Sequence, residues 1–533
     1  ENGDKVLARI IRRGESHKTH LAELTACFGP SDRADACARA IIAAANLSAD
    51  FPQAVLDEAK FLEHRGIPER ELLDRLDLRG EIIFTIDGAD SKDLDDAVSL
   101  AKQGGFYRLG VHIADVSHYV KPHSLLDEEA FARGTSVYYA DQVLPMLPKA
   151  LSNGICSLNP QEERLAFSAL LTLSPEGKLL DFTFRKTVIR SRVKGVYSEV
   201  NALLRGDADE RLREKYREVL PLLPLMKELK DLRLALRKGR GAPDLDSPES
   251  KLVIGPDGRT AEVLPRVSGE AESIIEEFML LANEAAATLA RGLAIPFVYR
   301  VHEHPDPERM GTLRETLRKL GLSARSLPEK PKPSDLAQLL EEGKDGPFSH
   351  ILNRLVLRSM AKARYSDQPL GHYGLVLENY AHFTSPIRRY PDLAIHRILT
   401  DWADGVSVRE LCRKYGRFAA AAAAHSSETE VQATEIERDC EDCYKAEYMR
   451  GKIGEEFDGV ISSVTSFGFY VALPSTVEGL VKLEDLPDGE YSFDGLIELS
   501  DVHSGRKFRL GDPVRVRCTG ADVNAGNVDF ALV

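Results

Sequence analysis

The sequence predicts a multidomain α+β protein, a large body of mixed strands and helices flanked by small β-barrels of OB type. The chain has 533 residues, 43% of them hydrophobic, which is too long for one ordinary core and suits two to four folded units. Apolar runs of strand character such as "EIIFTID" fill the first half of the middle section, and from "ESIIEEFMLLANEAAATLARGL" onward helical periodicity takes over. The last eighty or so residues alternate apolar and polar positions in short runs separated by Gly and Asp turns.

In chain order, residues 1–30 ("NGDKVLARIIRRGE", then "HLAELTACFG") read as two strands joined by a basic turn, the remnant of an N-terminal OB- or cold-shock-like barrel. Glu1 opens the chain with no signal-like segment. Residues 31–75 are Ala-rich and acidic and read as a helical linker region, and residues 76–448 form the main body. Within it, the Ala run at 419–424 leads into a long helical pattern that breaks at Gly451. Residues 451–533 read as a small closed barrel of OB type. In "GVISSVTSFGFYVAL", period-two alternation puts Phe467 and Phe469 on one face and Tyr470 on the other. Aromatic rings exposed on a barrel face offer bases a stacking platform worth roughly 1–3 kcal/mol per base; one of the two phenylalanines is expected to serve the core.

No apolar run reaches the roughly 18 residues of a membrane span, so a membrane partner is not expected. Seven cysteines, odd in number and scattered, make no disulfide framework in a chain of this size and favour a reducing cytoplasm. Cys440 and Cys443 have metal-ligand spacing, but they lie in a helical pattern with neither a second pair nor a neighbouring His. The net charge of −14, taken alone, argues against a nucleic-acid partner. An acidic outer surface can coexist with a basic channel, however, and basic clusters occur at 185–194, at Arg388 and Arg389, and at 506–517.

The stretch "FTIDGADSKDLDDAVSL" places five aspartates in ten residues between two buried-strand runs. Like charges at such spacing raise one another's pKa and destabilise the loop unless a cation compensates. An EF-hand loop starting at Asp87 would need Gly at its sixth position and Glu at its twelfth, where this chain has Lys92 and Val98. A pair of Mg²⁺ ions gripping a phosphodiester needs carboxylates and room for phosphate, and Asp87, Asp93, Asp95 and Asp96 could supply the carboxylates. A second segment, "LENYAHFTSPIRRYPDLAIHR", sets two arginines behind Ser385 in apolar surroundings, and a buried guanidinium needs an anion. One of the two is expected to pair with Asp392 or Glu378 and the other to grip phosphate; Ser385, Arg388 and Arg389 therefore read as RNA contacts. Of lesser weight, His112 is expected to hydrogen-bond within the core rather than pair with Asp115 at a metal. One of Glu276 and Glu277 could support the arginine from behind, and Ser152 with Asn153 suits a phosphate-contacting turn.

The segments "TIDGADSKDLDDAVSL", "GVHIADVSHYV", "SVYYADQVLPMLPKALSNGICSLNPQEERLAFS", "IIEEFMLLANEAA" and "HFTSPIRRYPDL" together resemble the RNB catalytic domain of the ribonuclease II and ribonuclease R exonucleases, with wording closer to ribonuclease R. The resemblance covers residues 76–448 and implies that the family's four site aspartates fall on Asp87, Asp93, Asp95 and Asp96, Asp95 being the one whose loss abolishes cleavage. It implies that the catalytic arginine is Arg388 and that Tyr197 stacks on the base near the 3′ end. The implied activity is processive, hydrolytic 3′-to-5′ removal of nucleoside 5′-monophosphates from RNA by two Mg²⁺ ions, with Mn²⁺ as a substitute, leaving a short oligonucleotide. The implied partners are single-stranded RNA 3′ ends and structured RNA with a 3′ overhang, met by a monomer. "GVISSVTSFGFYVAL" and "EGLVKLEDL" resemble the RNA-binding barrel repeated in ribosomal protein S-one. The alternative is a catalytically silent RNB-fold RNA-binding regulator. Silent relatives generally lose acidic residues, and here all four remain.

Overall fold

The computed structural model describes residues 2–14, 19–245, 249–322, 327–346 and 348–533. Two antiparallel strands open it, β1 (Asp4–Arg12) and β2 (Leu21–Pro30); the basic turn between them falls partly outside the described residues. Ile10, Ile11 and Leu24 are exposed, so this pair of strands has no core of its own. Residues 31–75 hold the helices α1 (Ala34–Ala44) and α2 (Gln53–Arg65), the helical character expected of them. Ala34, Cys37, Ala38 and Ile42 form one apolar stripe packed against residues 433–444. Glu447 accepts from the Ala34 N–H at 3.0 Å, satisfying an orphan donor of the first helical turn. The surface that receives α1 lies four hundred residues further on, whereas α2 packs against the helix Leu125–Arg133 and the turn Ala150–Ile155.

The main sheet comprises β3 (Ile83–Asp87), β4 (Asp96–Gln103), β5 (Phe106–Ala114), β6 (Glu163–Leu173) and β7 (Leu179–Val196). β4, β5 and β6 run antiparallel, with Asp96 opposite Ile113 and Ala114 opposite Ala166. The 18-residue β7 pairs antiparallel with β6 from Leu179 to Arg190 and parallel with β3 from Ser191 to Val196, so the sheet curls back on itself. Apolar and β-branched residues such as Ile83, Val98, Val111, Phe167 and Val188 are buried in its core.

α3 (Tyr197–Arg205) follows β7 without a gap, and the second half of the body is built on α4 (Glu270–Leu293), α5 (Tyr390–Ala403) and α6 (Val408–Arg450). At 43 residues, α6 is about 65 Å long. Ser407 and Glu410 exchange side-chain and backbone bonds at its start. Ala419, Ala422 and Ala423 are buried in the body, and Ala446 and Met449 in the barrel core, so α6 is the beam that joins the two.

The C-terminal barrel is closed, as expected, by β8 (Glu456–Thr465), β9 (Gly468–Ala472), β10 (Glu478–Lys482), β11 (Pro513–Asp522) and β12 (Asn527–Leu532) in the order β8-β9-β10-β12-β11. The shared face expected of Phe467 and Phe469 is corrected. Phe469 is fully buried against Phe508, ring centres 5.1 Å apart, whereas Phe467 is 53% exposed and meets Tyr470 edge-on. Strand alternation fails between them because Phe467 lies in the turn before β9, and Gly468 takes φ +144°. A Cβ at 468 would lie 2.1 Å from the Val481 carbonyl oxygen, so only glycine fits there. The basic cluster at 506–517 is largely neutralised, since Arg515 and Arg517 both pair with Glu456, at 3.0 and 2.8 Å. Among the described residues no helix is long and apolar enough to cross a membrane.

Candidate active site

The parallel register places Val196 of β7 opposite Asp87 of β3, so Tyr197, the next residue, stands beside the start of the acidic loop. The loop ends at Asp96, the first residue of β4. Of its five aspartates Asp90 is exposed and the other four are buried or half-buried. Asp95 is 4% exposed; its Oδ1 accepts from the Ile387 N–H at 2.8 Å, and its Oδ2 has no hydrogen-bond partner, with Arg388 Nε 3.7 Å away. Asp96 Oδ2 is likewise buried and unpartnered. Asp87 Oδ1 accepts from the Gly88 N–H at 2.6 Å and from Ser91 Oγ at 2.7 Å. Asp93 Oδ2 accepts from the Tyr138 hydroxyl at 3.0 Å.

Burial pushes Asp95 well above the usual carboxylate range against the pull of Arg388. Burial, reinforced by Asp87, raises Asp96 to about 7, and it raises Asp87 despite the bonds from Ser91 and Gly88. Arg388 lowers Asp95 and Asp96 but does not offset the cost of burying them, so a further cation beside these two would favour their ionised forms.

The two arginines divide as the sequence suggested one of them would. The Arg388 carbonyl accepts from the Ser136 N–H at 2.9 Å and from Thr135 Oγ1 at 3.2 Å; its guanidinium donates to Ser385 Oγ at 3.1 Å, and its side chain is 42% exposed. Arg389 donates to Asp392 Oδ1 at 2.8 Å and is mostly buried. Asp392, fully buried in the first turn of α5, also accepts from the Ser385 N–H, and a buried carboxylate demands such a cation. Without RNA, Arg389 neutralises Asp392, and Ser385 Oγ accepts from the Arg388 guanidinium.

Tyr197 is half-buried beside Asp96 and Asp87, and burial and those two carboxylates together raise its hydroxyl pKa. Phe467 and Phe469 belong to the barrel, not to this cluster. His112 is a core residue, bonded to Ser168 at 2.8 Å and Ser99 at 3.0 Å, and Asp115 is held by buried Arg75 at 2.7 Å. Neither Glu276 nor Glu277 supports Arg388; both pair with Arg237 at 2.9 Å, because α4 faces the helix Leu223–Gly239 that carries it. Ser152 bonds to Asn153 Oδ1 at 2.9 Å.

Two residues beside the aspartates escaped the sequence reading. Tyr138, 41% exposed, presents a ring next to Asp93, and Glu437 of α6 accepts from the Tyr138 N–H at 2.7 Å. Burial raises the Glu437 pKa while Arg388 opposes it. "SVYYADQV" offered two adjacent tyrosines with nothing to choose between them, and Glu437 was one acid among many in a long helix.

The chain matches the RNB domain family over residues 75–405 and the S1 RNA binding domain over 451–532. It is 40% identical over 518 residues to ribonuclease R 1 of Lactococcus lactis, covering 97% of this chain and 63% of that protein. It is 39% identical over 535 residues to ribonuclease R of Thermotoga maritima, covering 99% and 75%. The chain thus spans about two thirds of the length of these relatives. Among solved structures it resembles Mycoplasma genitalium RNase R in complex with ribose-methylated single-stranded RNA, with a TM-score of 0.93 at 28% identity over 100% of this chain and 83% of that one.

Proposed function

This chain belongs to the RNB family, and on that premise we propose that it is a hydrolytic, processive 3′-to-5′ exoribonuclease acting on single-stranded RNA ends and on structured RNA with a 3′ overhang. It releases nucleoside 5′-monophosphates and leaves a short oligonucleotide. The observation that carries the reading is Asp95: a carboxylate 4% exposed, one oxygen without a hydrogen bond, and a half-exposed arginine 3.7 Å away. A purely binding surface has no use for so costly an arrangement.

The donor set fits Mg²⁺ or Mn²⁺, being all carboxylate oxygen with two buried oxygens, Asp95 Oδ2 and Asp96 Oδ2, left unpartnered. Among the described residues no three acidic, His or Cys side chains converge closely enough to hold an ion by themselves, so an ion here would need further ligands from phosphate and water. Asp87, Asp93, Asp95 and Asp96 would hold the ions, whose chemistry when bound is to acidify water and to stabilise the departing 3′ oxygen. Arg388, steadied by Ser385, by the Thr135 hydroxyl and by the Ser136 N–H, donates to the scissile phosphate as its charge rises in the transition state. The Tyr138 and Tyr197 rings flank the aspartates, and stacking on them is indifferent to base identity, which suits sequence-tolerant degradation. Localisation in the cytoplasm agrees with seven unpaired cysteines.

Digestion of a 5′-labelled single-stranded RNA with Mg²⁺, beside a copy whose 3′ overhang precedes a stable duplex, tests the proposal. Mononucleotides from the first turnover and a short labelled remnant are expected. Internal fragments would mean an endonuclease, and tight binding without cleavage would mean the silent regulator.

A further inference from the structure

The acidic loop is pinned from three sides. Ile387 N–H holds Asp95, and Ser157 Oγ both donates to the Lys92 carbonyl at 2.8 Å and accepts from the Leu94 N–H at 3.0 Å. On the remaining side Lys194 of β7 donates from Nζ to the carbonyls of Ala89 at 2.9 Å and Ser91 at 2.6 Å. These are the residues that shape the turn between Asp87 and Asp93, and Ser91 returns its hydroxyl to Asp87 Oδ1 at 2.7 Å. A chain of contacts thus runs from the Lys194 ammonium through Ser91 to the Asp87 carboxylate.

The local fold is arranged around that reach. β7 is irregular between Ser191 and Lys194 where it pairs with β3, and such a bulge re-aims a side chain. Gly195 lets the strands touch, since a Cβ there would lie 2.5 Å from the Thr85 carbonyl oxygen. Two residues before Lys194, Arg192 donates to the carbonyls of Arg79 at 3.2 Å and Gly80 at 3.1 Å, just ahead of β3. One strand therefore clamps the backbone on both sides of β3 with cations. Among the described residues Lys194 makes no ion pair, although it adjoins a loop of five aspartates; its donors are spent on carbonyls, and its charge remains to offset the loop's repulsion.

We propose that Lys194 is a positioning residue of the hydrolytic site, holding the Asp87–Asp93 turn in the shape that presents Asp87 to a divalent cation. This deepens the exonuclease reading and rests on it. Residues that orient ligands from behind typically cost ten- to hundredfold in metal affinity or activity when lost.

The test compares wild type, Lys194→Met and Lys194→Arg by three measurements: Mn²⁺ binding without RNA, followed by electron paramagnetic resonance of the free ion; hydrogen exchange of the 84–95 peptide; and steady-state digestion. In Lys194→Met the peptide is expected to exchange faster, Mn²⁺ affinity to fall roughly ten- to hundredfold, and kcat to fall with KM for RNA unchanged. Lys194→Arg, which still reaches carbonyls, is expected to recover most of each loss. A Met variant with wild-type exchange in this peptide and wild-type kcat would overturn the proposal, as would an Arg variant no better than Met. Should Lys194→Met not fold, Lys194→Gln, which keeps a donor and drops the charge, takes its place with the same expectations. If wild type degrades no RNA, the exonuclease reading fails by itself, while peptide exchange in the variants still decides whether Lys194 orders the loop.

Discussion

At the edge of the main sheet two buried carboxylate oxygens, Asp95 Oδ2 and Asp96 Oδ2, have no hydrogen-bond partner, whereas in the C-terminal barrel Arg509, Arg515 and Arg517 each meet a glutamate at the surface. Among the described residues the barrel contains no buried unpartnered polar side-chain atom at all. The two regions dispose of charge in opposite ways. The barrel satisfies its own electrostatics and exposes the Phe467 ring; the body leaves buried polar atoms unpartnered at several places, and only at Asp95 and Asp96 do two of them lie on neighbouring aspartates of one acidic loop. Unbalanced burial is the mark of chemistry here, and charge count alone would have misplaced it.

The largest expected effect breaks that imbalance at its centre. Asp95→Asn keeps the side-chain shape and the bond from Ile387 but removes the charge, so hydrolysis should fall on the order of 10³-fold or more while RNA affinity persists. Relieving a buried charge should also leave the fold at least as stable. Single-turnover digestion beside equilibrium binding checks both, and a mutant that digests at near wild-type rate refutes the role given to this carboxylate.

Next in size, the adjacent arginines should fail differently. Arg388→Met removes a donor aimed at substrate and should cost about 10²–10³-fold in kcat with little change in melting temperature. Arg389→Met leaves Asp392 buried without its cation and should cost about 3–5 kcal/mol of stability. Denaturant unfolding and kinetics on the two variants give opposite patterns if the division is right; equal loss of stability in both would erase it.

Acid should separate the regions as well. Burial holds His112 of the body at about 3, and His372 likewise. The unfolded chain then takes up protons below pH 6.5 that these two folded imidazoles refuse, so their contribution to stability rises with pH between about 3 and 6.5, His112 alone accounting for about 2 kcal/mol lost by pH 5, while the raised Asp95 and Asp96 act in the opposite direction over this range. In the barrel, Asp501 is held at about 2 by Ser504 and backbone N–H groups, and Asp494, despite burial, at about 2 by Lys319 and backbone N–H groups. Those folded values are depressed, so their contribution is present above the unfolded value near 4 and is lost only as pH falls toward 2. The single tryptophan, Trp402, sits in the body; its fluorescence should change at higher pH than the barrel's circular dichroism. Coincident transitions would contradict the separation.

What the sequence made legible follows from how local each signal is. The aspartate loop and the arginine pair are contiguous motifs whose residue types already conflict with burial, so the clash of carboxylates and the pairing of one arginine with Asp392 were readable without coordinates. The closed barrel announced itself by alternation and turns. Tyr138 and Glu437 were not readable, because each reaches the site across more than forty residues of chain and carries no anomaly of its own, and Lys194 was visible only as the last residue of the basic cluster at 185–194. The helices of 31–75 were visible as helices, but the stripe on α6 that receives α1 was visible only as an Ala- and Cys-bearing face. Phe469 was misassigned because period-two reasoning assumes an unbroken strand, and Gly468 breaks it.

The smallest expected effect returns to that glycine and sharpens the comparison on the barrel side. Phe467, 53% exposed and braced edge-on by Tyr470, offers one face on which a base can stack. Phe467→Ala should weaken binding of a long single-stranded RNA by about 1 kcal/mol, the low end of what one stacked base contributes, if the proposed exonuclease site in the body holds the 3′ end independently. It should leave kcat on short RNA unchanged, since the barrel ring touches no reacting atom. Phe469→Leu is the contrasting variant: with its ring wholly buried against Phe508, it should lower barrel stability without a specific effect on RNA. Binding titrations on RNAs of increasing length distinguish the two, because a stacking contact at the barrel counts only once the strand is long enough to span from the aspartates to Phe467. A Phe467→Ala defect equally large on the shortest RNA would place that ring's influence in the body and undo the division of labour.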